Sequence, residues 1–322
     1  MVAMEMMEKA DQVLEDALNL WWLRPENALA LASYVVHGVD LKPTQGQKAA
    51  DFACGDGVNT FFKCGGRFAP EFDLFLAGIG SQSTKDVAAK NVDLFDHYDE
   101  QYFPKVNVKP EVYYAVGTDH KQNLLKKAQH LDFYEALHLA DLRDNVQAIA
   151  SHSLDKIYCN SLYWVAETDV ALKQMQDKLK PDGEMIIDVF TTEKKQLDFG
   201  KMFPSTSSEW QEMLNRGRQA TNPGLRSEEG WRELFEAAGL EVVEQRNIFP
   251  ASIAHIWNLG LRPIFPMLNK MAASISPQNR QEIKAEWVGV FKELLFPVLM
   301  APEAFSQDQA KYRLQFVLKA AR

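Results

Sequence analysis

The chain has 322 residues, enough for two domains or one α/β domain with insertions, and can bury roughly 75% of its unfolded surface with no metal or disulfide staple. Its 46% hydrophobic and 25% charged residues exclude a disordered or collagen-like chain. The net charge of −9 argues against duplex nucleic acid as a main partner, because proteins that wrap phosphate backbones carry a basic surplus.

In chain order, residues 1–16 are acidic and do not read as a secretory signal. Helical periodicity covers 4–37, and Pro25 marks a break or a new first turn. Trp21 and Trp22 suit either core anchoring or a lid. A short apolar strand carrying one acid, 49–53, runs into the small-residue turn Cys54-Gly55-Asp56-Gly57. A helix start follows at 58–63, with Asn59 and Thr60 available for capping. The stretch 64–110 is irregular and rich in Gly, Pro and Asp. Strands are predicted at 112–117, 137–140, 154–159, 185–190, 240–249 and 313–318, with helices at 121–130, 168–179 and 227–238 between them. Ser227 is the expected N-cap of the last of these helices and Gly239 its C-terminal stop. Lys180-Pro-Asp-Gly183 reads as a turn. Residues 251–306 read as inserted helices, an apolar canopy or an ordinary packed cap. Their mixed charges argue against a membrane-lying face, and no run of 18 uncharged apolar residues predicts a transmembrane helix.

Strands alternating with helices as continuous apolar runs predict a doubly wound, mostly parallel sheet of seven strands, whose ligands sit outside the strands' carboxyl ends. Asp56, Asp119, Asp141 and Asn160 fall there. Gly lets backbone approach a ligand closely, an acid at the second strand's end can accept from ribose hydroxyls, and an acid after the third can accept from an exocyclic amine. Thr60 stands where a dinucleotide fingerprint would need its third glycine.

Five stations, in order, resemble the class I S-adenosylmethionine-dependent methyltransferases. They are Asp51-Phe-Ala-Cys-Gly-Asp-Gly57, Gly117-Thr-Asp119-His120, Ala140-Asp141-Leu142, Asp155-Lys-Ile-Tyr-Cys-Asn160 and Leu179-Lys-Pro-Asp-Gly183-Glu-Met-Ile. The resemblance implies a Rossmann-like methyltransferase core that binds S-adenosyl-L-methionine, releases S-adenosyl-L-homocysteine and transfers methyl by in-line SN2 attack. It places Asp51, Ala53, Cys54, Gly55 and Gly57 on the methionine side and Asp119 on ribose. His120 covers the adenosine, Asp141 and Leu142 meet adenine, and Asn160 lies under the sulfonium. Two features depart from the family pattern: Ala53 replaces a glycine, and 62 residues separate Gly57 from Asp119. The surplus, about 66–110, reads as an insertion.

The expected division is a helical segment 1–46, a core 47–250 containing the insertion 66–110, a cap 251–306, and a last strand in 307–322. His97, His255 and Tyr163 are candidate general bases, needed for a hydroxyl acceptor and less for an amine or thiol. The two histidines also have a structural alternative, a solvated loop for His97 and a satisfied half-buried side chain for His255. Cys54 reads as a small buried residue rather than a nucleophile, and Cys54, Cys64 and Cys159 together fit reduced thiols in a cytoplasmic protein. Asp93, Asp96 and Asp99 lack calcium-loop spacing, and no metal is expected. The acceptor expected is small or amphiphilic. The alternatives are a non-catalytic scaffold that binds S-adenosylmethionine and an NAD(P)-dependent oxidoreductase.

Overall fold

The structure, a computed structural model, describes residues 2–79, 94–144, 146–215 and 219–321. Seven strands form one sheet: β1 (Ala49–Phe52), β4 (Tyr114–Asp119), β5 (Tyr134–Leu139), β6 (Leu154–Cys159), β7 (Leu179–Phe190), β8 (Leu240–Asn247) and β9 (Arg313–Ala320). Their order across the sheet is β5-β4-β1-β6-β7-β9-β8. Every pairing is parallel except those of β9, which runs antiparallel to both neighbours. This is a doubly wound, mostly parallel seven-stranded sheet of Rossmann-like type. The order reverses at β1, so a crevice opens between β1 and β4 on one side and β6 on the other, at the carboxyl ends.

β1 is buried along its whole length, which explains its unbroken small and apolar run. α3 (Val58–Lys63) follows it, and α5 (Gln122–Gln129), α6 (Thr168–Lys178) and α9 (Glu228–Ala237) connect later strands. Ser227 caps α9 by accepting from Gly230 N at 3.0 Å, and Gly239 leaves it at φ +73°. Two details differ from the sequence reading. Lys180–Gly183 is not a turn between helix and strand but lies within β7, where Leu154 pairs with Leu179 and Lys156 with Glu184. The extra residues of β7 bulge out of the ladder, and a bulge asks for the same polar, Gly-bearing composition as a turn. The α3 start is served by Asp56, whose Oδ1 accepts from Val58 N at 3.1 Å, rather than by Asn59 or Thr60.

The non-core segments gather into one layer. α1 (Val2–Leu20) and α2 (Pro25–Val36) are separate helices, and Pro25 begins the second. The 66–110 stretch contains a two-residue strand β2 (Arg67–Phe68), α4 (Leu74–Ile79) and β3 (Val106–Val108), which pairs with β2. Its residues 80–93 lie outside the described residues, Asp93 among them. Two short helices, α7 (Phe199–Met202) and α8 (Ser208–Asn215), follow β7. The cap holds α10 (Ala251–Leu259), α11 (Phe265–Ala273) and α12 (Pro277–Met300). Trp21 packs edge-on against Phe75 and Phe95, and Phe75 meets Phe265 at 5.4 Å. Asp73 accepts from both Trp22 and Arg280, so the α1–α2 turn, the insertion and the cap share one carboxylate. No described helix is long and apolar enough to cross a membrane.

Candidate functional site

The site is built on β1. Asp51 is a carboxyl in a fully buried strand, 1% exposed. Burial pushes its pKa up to about 7, while hydrogen bonds from Thr60 and Tyr134 and the charge of Lys63 pull the other way. The Tyr134 hydroxyl donates to Asp51 Oδ2 at 2.7 Å. The chain then turns sharply, with Ala53, Gly55 and Gly57 all left-handed at φ +57°, +60° and +75°. The glycines take this backbone freely, whereas Ala53 holds it at a cost of about 1–2 kcal/mol. Pairing with β4 fixes the turn: Cys54 N donates to Thr118 O at 2.8 Å.

Asp119 ends β4 and is 5% exposed. Its Oδ2 accepts from Gly55 N at 3.0 Å and its Oδ1 from Lys121 N at 2.8 Å. The carboxylate therefore braces the glycine turn and the entry to α5 together, and each oxygen keeps acceptor capacity for another donor. His120 Nδ1 stands 3.6 Å from Asp119 Oδ1 with its ring largely exposed. A Cβ built on Gly55 would meet only Leu124 Cδ1, at 4.0 Å, so the space above this residue is open. At Gly57 it would strike Tyr134 at 2.8 Å.

Asp141 follows β5 and folds back on its own loop. Arg143 donates to both of its carboxylate oxygens, Nε at 2.8 Å and Nη2 at 2.9 Å, and also reaches Glu167. Those hydrogen bonds hold the Asp141 pKa down at about 2. Any further donor would therefore share this carboxylate with Arg143. Leu142 is buried in the core. Cys54 is buried too, and burial drives its thiol pKa well up, which suits a packing role rather than a nucleophile.

Asn160 directly follows β6 and is half-buried. Its Oδ1 accepts from Ser161 Oγ at 2.7 Å, and its carbonyl accepts from Arg313 Nη2 at 3.3 Å. The three candidate bases sit on different elements. Tyr163 lies in the short 3₁₀ turn after Asn160, edge-on to Phe190 at 5.2 Å. Burial raises its pKa, the opposite of what a base at neutral pH requires. His255, on α10, pairs with Asp308 at 3.0 Å and packs on Tyr312, beyond the start of β9 and two strands from Asn160. His97 is half-buried, between Asp96, which pairs with Lys121 at 2.7 Å, and Tyr98, which bonds His130 at 3.2 Å. That segment packs on α5.

Sequence reasoning missed the buried polar cluster below Asn160. Asp188 is fully buried on β7 and accepts from Lys63 at 2.8 Å, Tyr158 at 2.7 Å and Gln315 at 2.7 Å. Burial would raise its pKa, but Lys63 and Arg313 hold it below the ordinary value. Arg313 sits over the rings of Tyr34, Phe190 and Tyr163 and donates to the Tyr34 hydroxyl at 3.1 Å. The cluster ties α2 to the carboxyl ends of β6 and β7. An acid inside the apolar run 185–190 was the available signal. A cavity of about 210 Å³ lies past β8 rather than over the Gly55 turn.

No protein-family model and no curated protein matches the chain. Solved structures give loose superpositions. One is the complex of the Haloferax volcanii Trm112 methyltransferase activator with a presumed methyltransferase, at 17% identity and TM-score 0.43, covering 99% of this chain and 98% of that one. Another is a Geobacter sulfurreducens S-adenosylmethionine-dependent methyltransferase holding S-adenosylhomocysteine, at 13% identity and TM-score 0.41, covering 91% and 90%. A third is the [4+2]-cyclase SpnF, at 12% identity and TM-score 0.44, covering 92% and 82%. The fold assignment stands on the strand order itself.

Proposed function

We propose that the protein is an S-adenosylmethionine-dependent methyltransferase acting on a small or amphiphilic acceptor. The observation that carries the reading is the Asp119 carboxylate joined to Gly55 N at 3.0 Å, beside a left-handed turn with open space above Gly55. Such a cradle admits a ribose and its attached chain against bare backbone. On this reading Asp51, Ala53, Cys54, Gly55 and Gly57 border the methionine end. Asp119 takes the ribose hydroxyls, His120 and Leu142 flank the base with Asp141, and Asn160 lies under the sulfonium. When bound, the cofactor supplies an electrophilic methyl group. The division into segment 1–46, core 47–250, cap 251–306 and final strand 307–322 belongs to the same proposal.

The chain's own residues orient the acceptor and exclude water. Tyr34, Tyr163, Phe190 and Arg313 form a dry, fixed floor next to Asn160, so proximity supplies most of the rate. Among the described residues none of the three candidates is poised there: His97 lies in the segment packed on α5, His255 is committed to Asp308 and burial raises the Tyr163 pKa. This favours an amine, thiol or already ionised acceptor over a neutral hydroxyl. The alternative of a non-catalytic binding scaffold draws on the same absence of a poised base. Incubation with methyl-labelled S-adenosylmethionine and fractionated metabolites tests the proposal. Release of S-adenosylhomocysteine with one fraction is expected; cofactor binding with no release from any fraction would favour the scaffold.

A further inference from the structure

The cavity of about 210 Å³ past β8 is separate from the cradle. It is far larger than the ~10–15 Å³ that admits one water and smaller than the roughly 300–1,000 Å³ of drug-sized sites, so it suits a small metabolite. Its polar lining comprises Asn247, Ser252, Glu303, Ser306, Asp308 and Gln309, with no Lys, Arg or aromatic ring among the lining residues. Ser252 is 5% exposed, and its Oγ is buried without a hydrogen-bond partner. A buried hydroxyl without a partner costs free energy, so it needs a reason to stand there. Asp308 is fixed in place: its Oδ2 accepts from Tyr312 and His255, its Oδ1 from Ala310 N. Glu303 is exposed and in no salt bridge among the described residues, though its charge acts on the His37 ring, whose pKa burial holds below the ordinary value. The N-terminus of α10 contributes about half a positive charge, which offsets only part of two carboxylates.

We propose that this cavity binds a small polar molecule carrying a primary ammonium group, with Glu303 and Asp308 supplying charge and Ser252 the buried hydrogen-bond partner. A quaternary ammonium has no N–H to give these acceptors and finds no aromatic face here. The site is distinct from the proposed cofactor cradle and does not depend on that assignment. Calorimetric titration of the full chain with aminopropanol, its N-trimethyl analogue and hydroxypropanoate tests it. Saturable binding is expected for the primary amine alone. Glu303→Gln and Ser252→Leu should each weaken it by about tenfold or more. Ser252→Ala should also weaken it while melting no lower than wild type, which separates a ligand role from a structural one. Binding of S-adenosylhomocysteine should stay unchanged in all three variants. Equal binding of either control compound, binding that survives both Glu303→Gln and Ser252→Leu, or no binding of the amine would overturn the proposal.

Discussion

Gly55 and Gly57 share a backbone conformation but differ in surroundings, and that difference is measurable. Both lie at left-handed φ, +60° and +75°, so alanine at either costs about 1–2 kcal/mol in the backbone alone. At Gly55 the new methyl would meet nothing nearer than Leu124 at 4.0 Å and would project into open space. At Gly57 it would lie 2.8 Å from Tyr134 Cε2 and 3.1 Å from Leu131 Cδ1. Tyr134 cannot yield without stretching its 2.7 Å hydrogen bond to Asp51. Overpacking of this kind adds about 1–3 kcal/mol. Gly57→Ala should therefore lose about 2–5 kcal/mol of stability and Gly55→Ala only about 1–2.

Ligand affinity should show the reverse emphasis. A methyl group at Gly55 would occupy space assigned to the cofactor, a misfit that costs about 10–200-fold in binding. Urea unfolding gives the stabilities, and calorimetry with S-adenosylhomocysteine gives the affinities. If Gly55→Ala binds like wild type while losing only its backbone cost, the space above the turn is not the cofactor's. Equal destabilisation of the two variants would refute the wedge assigned to Tyr134.

Asp51, at about 7 in the fold against an ordinary value of 3.8, binds its proton more tightly folded than unfolded. Its contribution to stability is therefore full below pH ~4 and is lost as pH rises through about 7, with a ceiling of about 4 kcal/mol. Asp51→Asn should flatten the pH dependence of the urea midpoint between about pH 4 and 7 and gain relative to wild type at the upper end; an unchanged slope would sink the assignment. Arg143→Gln should let the Asp141 carboxyl titrate above its present value of about 2, followed by carboxyl NMR, and leave the melting temperature unchanged because Arg143 is exposed. Asp141→Ala should weaken S-adenosylhomocysteine binding only a few-fold, since Arg143 already holds that carboxylate; a loss as large as that of Asp119→Ala would contradict this ranking. Cys54, Cys64 and Cys159 are buried, the latter two with thiols pushed up to about 12, so a thiol reagent at pH 8 should label none in the native protein and all three after unfolding.

Much of the cradle was legible because its demands are local. A buried strand ending in a small-residue turn constrains residue type at Gly55 and Gly57, and an acid at a strand end stands out. Where the reading failed, partners distant in sequence decide. Lys180–Gly183 has the composition of a turn and of a bulge alike, and only the pairing of β7 with β6 selects the second. The cap of α3 went to Asp56 while Thr60, a good cap by type, serves Asp51 instead. The Lys63–Asp188–Arg313 cluster joins residues separated by 125 positions in each direction from Asp188, with no local pattern to announce them. Grouping His97, His255 and Tyr163 as candidate bases followed residue chemistry, but chemistry alone carries no information on which elements bring side chains together.

The most direct measurement is calorimetric titration of the purified protein with S-adenosylhomocysteine and with NAD, repeated for Asp119→Ala. The structure ties Asp119 to Gly55 N and Lys121 N, so the variant also loses two backbone braces and its folding must be checked in parallel. The account predicts one-to-one binding of S-adenosylhomocysteine, no binding of NAD, and a loss of about 1.5–3 kcal/mol in the folded variant as the charged ribose contact disappears. Binding of NAD in preference, or S-adenosylhomocysteine affinity that is indifferent to Asp119→Ala, would contradict it.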